Sequence, residues 1–259
     1  MIIIKTPEEI AVMREGGHRL AEILRYLVSL VKPGATTAEI DAEAEKRIRA
    51  AGGEPAFKGY RAFGISTPFP GSVCTSINDE IVHGLPYPAR QLREGDVVSL
   101  DIGMKYKGYY TDTAHTIGLE YLSDANKKLI STAQKSLQSV IEYLQENLGQ
   151  GQLSTADIGA FVQDYVEGAG FNVVRELVGH GVGKQLHEDP SVPNYRMRNA
   201  GEPLRPGLVI AIEPMIYAGT PGVSFQKDGW QFVTTHGAAA AHFEHTVAIT
   251  KEGISVLTA

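Results

Sequence analysis

Four acidic residues sit where an apolar core would exclude them. Asp101 and Asp112 flank Lys105-Tyr106-Lys107-Gly108, which reads as a hairpin turn with Gly at its end. A hairpin centred between Tyr106 and Lys107 sets the two acids opposite each other, within one residue of register; a bulge at Gly108 would slip them by one. Directly opposed like charges are destabilising, so the pair needs a cation between them or open water around them. Glu213 ends the run Val209-Ile210-Ala211-Ile212, which reads as a buried strand, and Pro214 follows it. Glu244 interrupts the mostly apolar segment from Ala239 to Val247. Charged side chains are almost never fully buried unless paired. Acids that end or interrupt four apolar strands form the pattern of a hard or borderline metal site.

Histidines add to that pattern. His180 lies between glycines in Gly179-His180-Gly181-Val182-Gly183, and His187 follows in Leu186-His187-Glu188-Asp189-Pro190. The glycines do not make a nucleotide loop, because no strand–helix context and no Gly-Lys-Ser/Thr accompanies them. His187-Glu188 is not the helical zinc motif either: no histidine stands at 191, and Pro190 would break the helix. His83, in Val82-His83-Gly84-Leu85-Pro86, is a third candidate. Taken singly, each histidine also fits an ordinary loop or core position. Together, four carboxylates and one imidazole suit two divalent first-row ions. Oxygen-rich ligation favours Mn or Fe, and imidazole also admits Co, Ni and Zn. Two such ions about 3.5–4 Å apart activate water and stabilise both sides of a displacement.

The elements that must hold these residues recur along the chain. Thr6-Pro7-Glu8-Glu9 is a capped helix start, and Ile10, Met13, Leu20, Leu24, Leu27 and Val31 continue with a helical period until Pro33-Gly34. Thr36-Thr37-Ala38-Glu39 starts a second helix, which stops at Gly52-Gly53. Ser123-Asp124 opens a third, ended by Gly149 to Gly151, and Ser154-Thr155-Ala156-Asp157 a fourth, ended by Gly168 to Gly170. Gly95 to Asp101 then parallels Gly207 to Glu213, and Tyr110 to Thr113 parallels His242 to His245. Each half is helix, helix and a set of strands, with two carboxylates at matching places. A pseudo-twofold axis would bring all four acids together. This is α+β rather than alternating βαβ. We expect one catalytic domain over residues 1–259, with halves of about 1–120 and 121–259.

Composition bounds the setting. The 259 residues are 43% hydrophobic and 21% charged, ordinary for a globular chain. A net charge of -6 and a pI near 5.8 argue against direct DNA binding. No apolar stretch reaches the length of a membrane span, and no basic, apolar leader opens the chain. One cysteine, Cys74, forms no internal disulfide, which fits a reducing compartment and a cytoplasmic location.

With their flanks, Asp101, Asp112, His180, Glu213 and Glu244 resemble the ligand set of the methionine aminopeptidases. The resemblance covers nearly the whole chain, including Ser72 to Asn78, His83-Gly84, Asp101-Ile102-Gly103, Gly179 to Gly183, His187 to Pro190 and Phe243 to Thr246. It implies the pseudo-symmetric "pita-bread" α+β fold, a central antiparallel sheet with helices on its outer face. It implies that Asp101 binds one metal, that His180 and Glu213 bind the other, and that Asp112 and Glu244 bridge. His83 and His187 match the catalytic histidines that contact substrate and the reacting intermediate. Cys74 and Trp230 match positions lining the methionine pocket, with Phe69 the candidate from the divergent segment Lys58 to Phe69.

The implied activity is removal of N-terminal methionine from nascent proteins with a small, uncharged second residue, by a hydroxide activated between two divalent ions. The implied form is the compact bacterial type I enzyme, a monomer with transient ribosome contact and no membrane association. Two positions depart from the family pattern: Leu186, where some members carry an aromatic residue, and His242, where glutamine is common. His18, His115, His236 and His245 are read as non-catalytic, with His245 also a candidate to support Glu244. Three other readings compete. A metal-free binding protein on the same fold would not keep five ligands. Relatives that cleave before proline usually carry a further N-terminal domain, whereas this chain begins at its first helix. A hydrolase with Cys74 as nucleophile leaves the acids unexplained.

Overall fold

Local sequence sets the helix starts. At α1, Pro7–Leu30, the Thr6 hydroxyl accepts the Glu9 N–H and the Glu9 carboxylate accepts the Thr6 N–H. Thr36 and Glu39 repeat this capping box at α2, Thr37–Ala50. Helix α3, Asp124–Asn147, opens at Ser123, whose hydroxyl accepts the Asn126 N–H. At α4, Thr155–Gly168, the Ser154 N–H donates to Asp157. All four starts lie where the sequence places them, because a cap depends only on residues a few positions apart.

The computed structural model describes residues 1–62, 64–65 and 67–259. Its strands before α3 are β1 Glu54–Pro55, β2 Val73–Ile77, β3 Glu80–Val82, β4 Val97–Tyr106 and β5 Tyr109–Gly118. After α4 come β6 Asn172–Val173, β7 Gly179–Gly181, β8 Glu188–Val192, β9 Val209–Ile212 and β10 Met215–Tyr217. The last are β11 Val223–Phe225, β12 Phe232–Thr234, β13 Ala240–His242, β14 Glu244–Ile249 and β15 Ile254–Val256. Among the described residues the main sheet has nine strands in the order β1-β4-β5-β14-β9-β7-β8, with β2 beside β4 and β15 beside β14. Its ladders are antiparallel.

Alternation along the strands separates core from site. Leu100, Ile102 and Met104 of β4 pack with Leu20, Leu24 and Leu27 of α1 and Ile40 of α2. Ile210 and Ile212 of β9, with Val247 and Ile249 of β14, pack with Leu137 and Val140 of α3 and Val162 of α4. The helices therefore cover one face. Asp101, Asp112, Glu213 and Glu244 belong to the opposite parity and face away from them.

The β4–β5 register differs from the sequence expectation. Asp101 stands opposite Ala114, and Asp112 opposite Gly103. Lys107 and Gly108 both have positive φ, 47° and 89°, and form a two-residue turn between paired Tyr106 and Tyr109. Such turns match the right-handed twist of the strands they join. The hairpin is thus centred one residue later than expected, and its register moves by two. An even shift keeps both acids on the same face, as diagonal neighbours.

Across the middle of the sheet, Glu244 pairs with Ala114 and His245 with Thr113. Continued along the strands, this register sets Asp112 opposite Thr246. In this register a twofold axis between the paired Thr113 and His245 exchanges Asp112 with Glu244. The same frame makes Ala211, which pairs with Thr246, the counterpart of Asp101. Glu213 lies two residues beyond it, so the matching of Asp101 with Glu213 read from sequence is offset by two.

Candidate metal centre

Strand interiors carry Asp101 and Asp112, while Glu244 and Glu213 stand at strand ends, and their backbones are held firmly. The Thr246 hydroxyl accepts the Asp112 N–H at 2.9 Å and donates to the Asp112 carbonyl at 2.8 Å. Thr113 Oγ1 donates to the Glu244 carbonyl at 2.8 Å, and Asn194 Nδ2 to the Glu213 carbonyl at 2.9 Å. All four carboxylates are buried. Ligand atoms of Asp112, His180 and Glu244 lie within 4.8 Å of one another. His180 Nε2 stands 3.5 Å from Glu213 Oε1.

Burial, joined by mutual repulsion at Asp101, Glu213 and Glu244, raises all four acids above the usual carboxylate range. Burial, then the charges of Asp112 and Glu213, raises Asp101 well above the usual carboxylate range. Burial with its acidic neighbours does the same to Glu213 and Glu244, and burial brings Asp112 to about 7. No arginine or lysine forms an ion pair with any of the four among the described residues. Asp101 Oδ1 and Glu244 Oε1 are buried without a hydrogen-bond partner. Buried charges persist when they are paired or coordinate a metal. Oxygen donors without partners, beside a neutral imidazole, fit a divalent cation.

The imidazoles have assigned faces. His180 Nδ1 lies 2.9 Å from the Gly181 carbonyl. A carbonyl only accepts, so Nδ1 carries the proton and Nε2 presents its lone pair toward Glu213. Burial lowers His180 to about 4, which keeps the ring neutral. His83 follows β3 with φ 59°, an uncommon conformation for a side-chain-bearing residue. Its Nδ1 faces the Trp230 carbonyl at 3.3 Å, leaving Nε2 free. His187 packs edge-on to His180, with ring centres 4.4 Å apart. Its Nδ1 is 2.7 Å from the Tyr60 hydroxyl. Burial raises the Tyr60 phenol, so it stays protonated.

All ten residues singled out by sequence line one cavity of about 190 Å³. Its charged end is formed by Asp101, Asp112, His180, Glu213 and Glu244, with His83 and His187 beside them. Its apolar end is formed by Cys74, Phe69 and Trp230, joined by Phe57 and Leu186. Phe69 and Trp230 meet edge to face, ring centres 5.3 Å apart. Cys74 pairs with Asp101 across β2 and β4. Burial, then the nearby carboxylates, pushes its thiol well up, which disfavours the thiolate that a Cys nucleophile needs. Sequence reasoning missed Tyr60 and Phe57. They fall in or beside the divergent Lys58–Phe69 segment, of which Phe63 and Ser66 lie outside the described residues.

Residues 11–251 match the model of metallopeptidase family M24. The chain belongs to metallopeptidase family M24. Within the family it is similar to methionine aminopeptidase 1 of Bacillus subtilis, 46% identical over 258 residues, covering 100% of this chain and 99% of that one. Among solved structures it matches a methionine aminopeptidase from Thermotoga maritima with a TM-score of 0.92 at 38% identity, covering 100% and 99% of the two chains. A prolidase from Pyrococcus horikoshii matches at a TM-score of 0.76 and 22% identity, covering 100% of this chain and 64% of its own; that likeness concerns the fold alone. The M24 chain is thus a hydrolase with the pita-bread α+β fold, and its acidic cavity is a candidate site for divalent metal. No helix among the described residues is long and apolar enough to cross a membrane.

Proposed function

We propose that this M24 chain is a type I methionine aminopeptidase that removes the first methionine from nascent proteins whose second residue is small and uncharged. The observation that carries the reading is the single cavity that joins an acid-rich end to an apolar end closed by Cys74, Phe69 and Trp230. An unbranched thioether packs well on aromatic edges, and a charged side chain there would have no partner. Asp101 would hold one divalent ion and His180 with Glu213 the other, while Asp112 and Glu244 would bridge. Two such ions, when bound, supply a hydroxide at neutral pH and withdraw charge from the scissile carbonyl.

The protein's own groups do the rest. With Nδ1 accepting from Tyr60, His187 turns Nε2–H outward as a donor to negative charge developing on the carbonyl oxygen. His83 Nε2 is free to take a proton from the attacking water and return it to the departing peptide nitrogen. The same reading takes residues 1–259 as one catalytic domain of two pseudo-symmetric halves, about 1–120 and 121–259, supported by the twofold-compatible register of β5 and β14. It further holds that the enzyme is a cytoplasmic monomer with transient ribosome contact.

The test is turnover of short peptides by protein stripped with a strong chelator and then resupplied with Co, Mn, Fe, Zn or Ni. Met-Gly and Met-Ala peptides should be inert with stripped protein and cleaved after resupply, with Met-Lys and Met-Arg cleaved poorly. Full activity in stripped protein, or Lys-Gly turned over as fast as Met-Gly, would overturn the reading.

A further inference from the structure

One buried imidazole at the edge of the acid cluster has no partner. His242, at the end of β13, is 2% exposed, and neither ring nitrogen has a hydrogen-bond partner. Buried polar groups are nearly always hydrogen-bonded, so each exception needs a reason. A backbone shift does not supply one. The Thr116 hydroxyl accepts the His242 N–H at 2.9 Å and donates to its carbonyl at 2.7 Å, and His242 also pairs with Met215 across β13 and β10. The ring is therefore carried on a clamped backbone.

Its Nε2 stands 3.7 Å from Glu213 Oε2 and 3.9 Å from Glu244 Oε2. Both separations are too long for hydrogen bonds. They suit ligands that share an ion. Two donors each about 2.1 Å from one ion are about 3.4 Å apart at a tetrahedral angle and at most about 4.2 Å apart. His180 Nε2 shows the same relation to the other oxygen of Glu213, at 3.5 Å. His180, Glu213 and His242 also line the wider outer cleft, about 640 Å³, by which an ion would reach them.

We propose that His242 Nε2 is a further metal ligand, reaching an ion beside Glu213 and Glu244, so that the ion pair carries two imidazoles rather than one. The proposal rests on the dinuclear reading above and adds a donor to it. A second imidazole in place of an oxygen donor moves that ion's preference from Mn toward Co, Ni and Zn.

X-ray absorption on Co(II)-loaded full-length protein, with Co(II) and Mn(II) affinities measured in the absence of substrate, tests this. Wild-type protein with two ions should show two imidazoles per ion pair, and His242→Gln and His180→Ala one each. His242→Gln should weaken Co(II) binding at one ion by at least about 10-fold and Mn(II) binding less. His115→Gln, on the helix-covered face, should leave both readouts unchanged. An unchanged imidazole count in a His242→Gln protein that still binds two ions overturns this ligand and leaves the proposed function standing. Wild-type protein that binds no divalent ion overturns both. Thermal melting in chelator establishes that each variant folds; should the glutamine variant melt early, His242→Asn carries the same comparison.

Discussion

Asp112, His180, His83 and His187 share one cavity but differ in what surrounds them. Asp112 is buried among acids and brought to about 7, so its charge depends on a cation beside it. His180 keeps its Nε2 lone pair toward Glu213, whereas His83 and His187 are fixed through Nδ1 by Trp230 and Tyr60. On the proposed dinuclear reading, Asp112→Asn should lose metal from both sites, and His180→Ala should lose metal affinity and rate together. His83→Ala and His187→Ala should keep their metal and lose about 10²–10⁴-fold in rate, the usual range for acid–base or positioning groups. Metal analysis beside single-turnover kinetics checks this. Loss of an ion from the His83 or His187 variant, or full metal content in Asp112→Asn, would contradict the assignment.

Helix α2 reaches the pocket through one carboxylate. Asp41 is 1% exposed, and its Oδ1 accepts the N–H groups of Ser72 and Val73 at 2.6 and 3.1 Å while Oδ2 accepts the Tyr87 hydroxyl at 3.0 Å. These bonds fix the entry to β2, which carries Cys74 opposite Asp101. Asp41→Ala leaves buried N–H groups unpaired and should cost about 1–3 kcal/mol. Asp41→Asn keeps an acceptor and should cost less. Burial raises the Asp41 carboxyl above 3.8 despite these bonds, so the native state holds this proton to higher pH than the unfolded chain does. Its contribution to stability is therefore greatest below 3.8 and is lost as pH rises through the folded value. Denaturant melts in chelator should show Asp41→Asn gaining on wild type as pH rises above about 4; a drift in favour of wild type would refute the sign.

At the scale of the molecule, the N-terminal segment supports the site from outside it. Lys5 Nζ meets Glu188 Oε2 at 2.6 Å, with side chains 1% and 2% exposed, and also donates to the Ile3 carbonyl. Glu188 adjoins His187 and accepts the Gln185 N–H at 3.0 Å. Lys5→Ala strands a buried carboxylate and should cost about 3–5 kcal/mol, whereas replacing the pair together by Lys5→Met and Glu188→Leu should recover much of that loss. Metal content of Lys5→Ala should stay at the wild-type level while the rate falls with His187 displaced. Calorimetric melts of the single and double variants measure the first effect. A single variant as stable as wild type would show that the pair holds nothing in place.

Sequence alone determined the parts governed by near neighbours and by parity. Thr6, Thr36, Ser123 and Ser154 start helices because a cap spans only a few residues. Acids at Asp101, Asp112, Glu213 and Glu244 marked the cavity because ionisable groups in apolar strands need a partner. Only the tertiary structure decided what depends on turn dihedrals and distant approach. Positive φ at Lys107 and Gly108 moved the hairpin register by two. Tyr60 reaches His187 across 127 positions and Lys5 reaches Glu188 across 183, and no local pattern encodes either contact. His242 was visible as an unusual residue type, but its lack of a partner exists only once the sheet has buried it, because an imidazole in the unfolded chain satisfies both nitrogens with water.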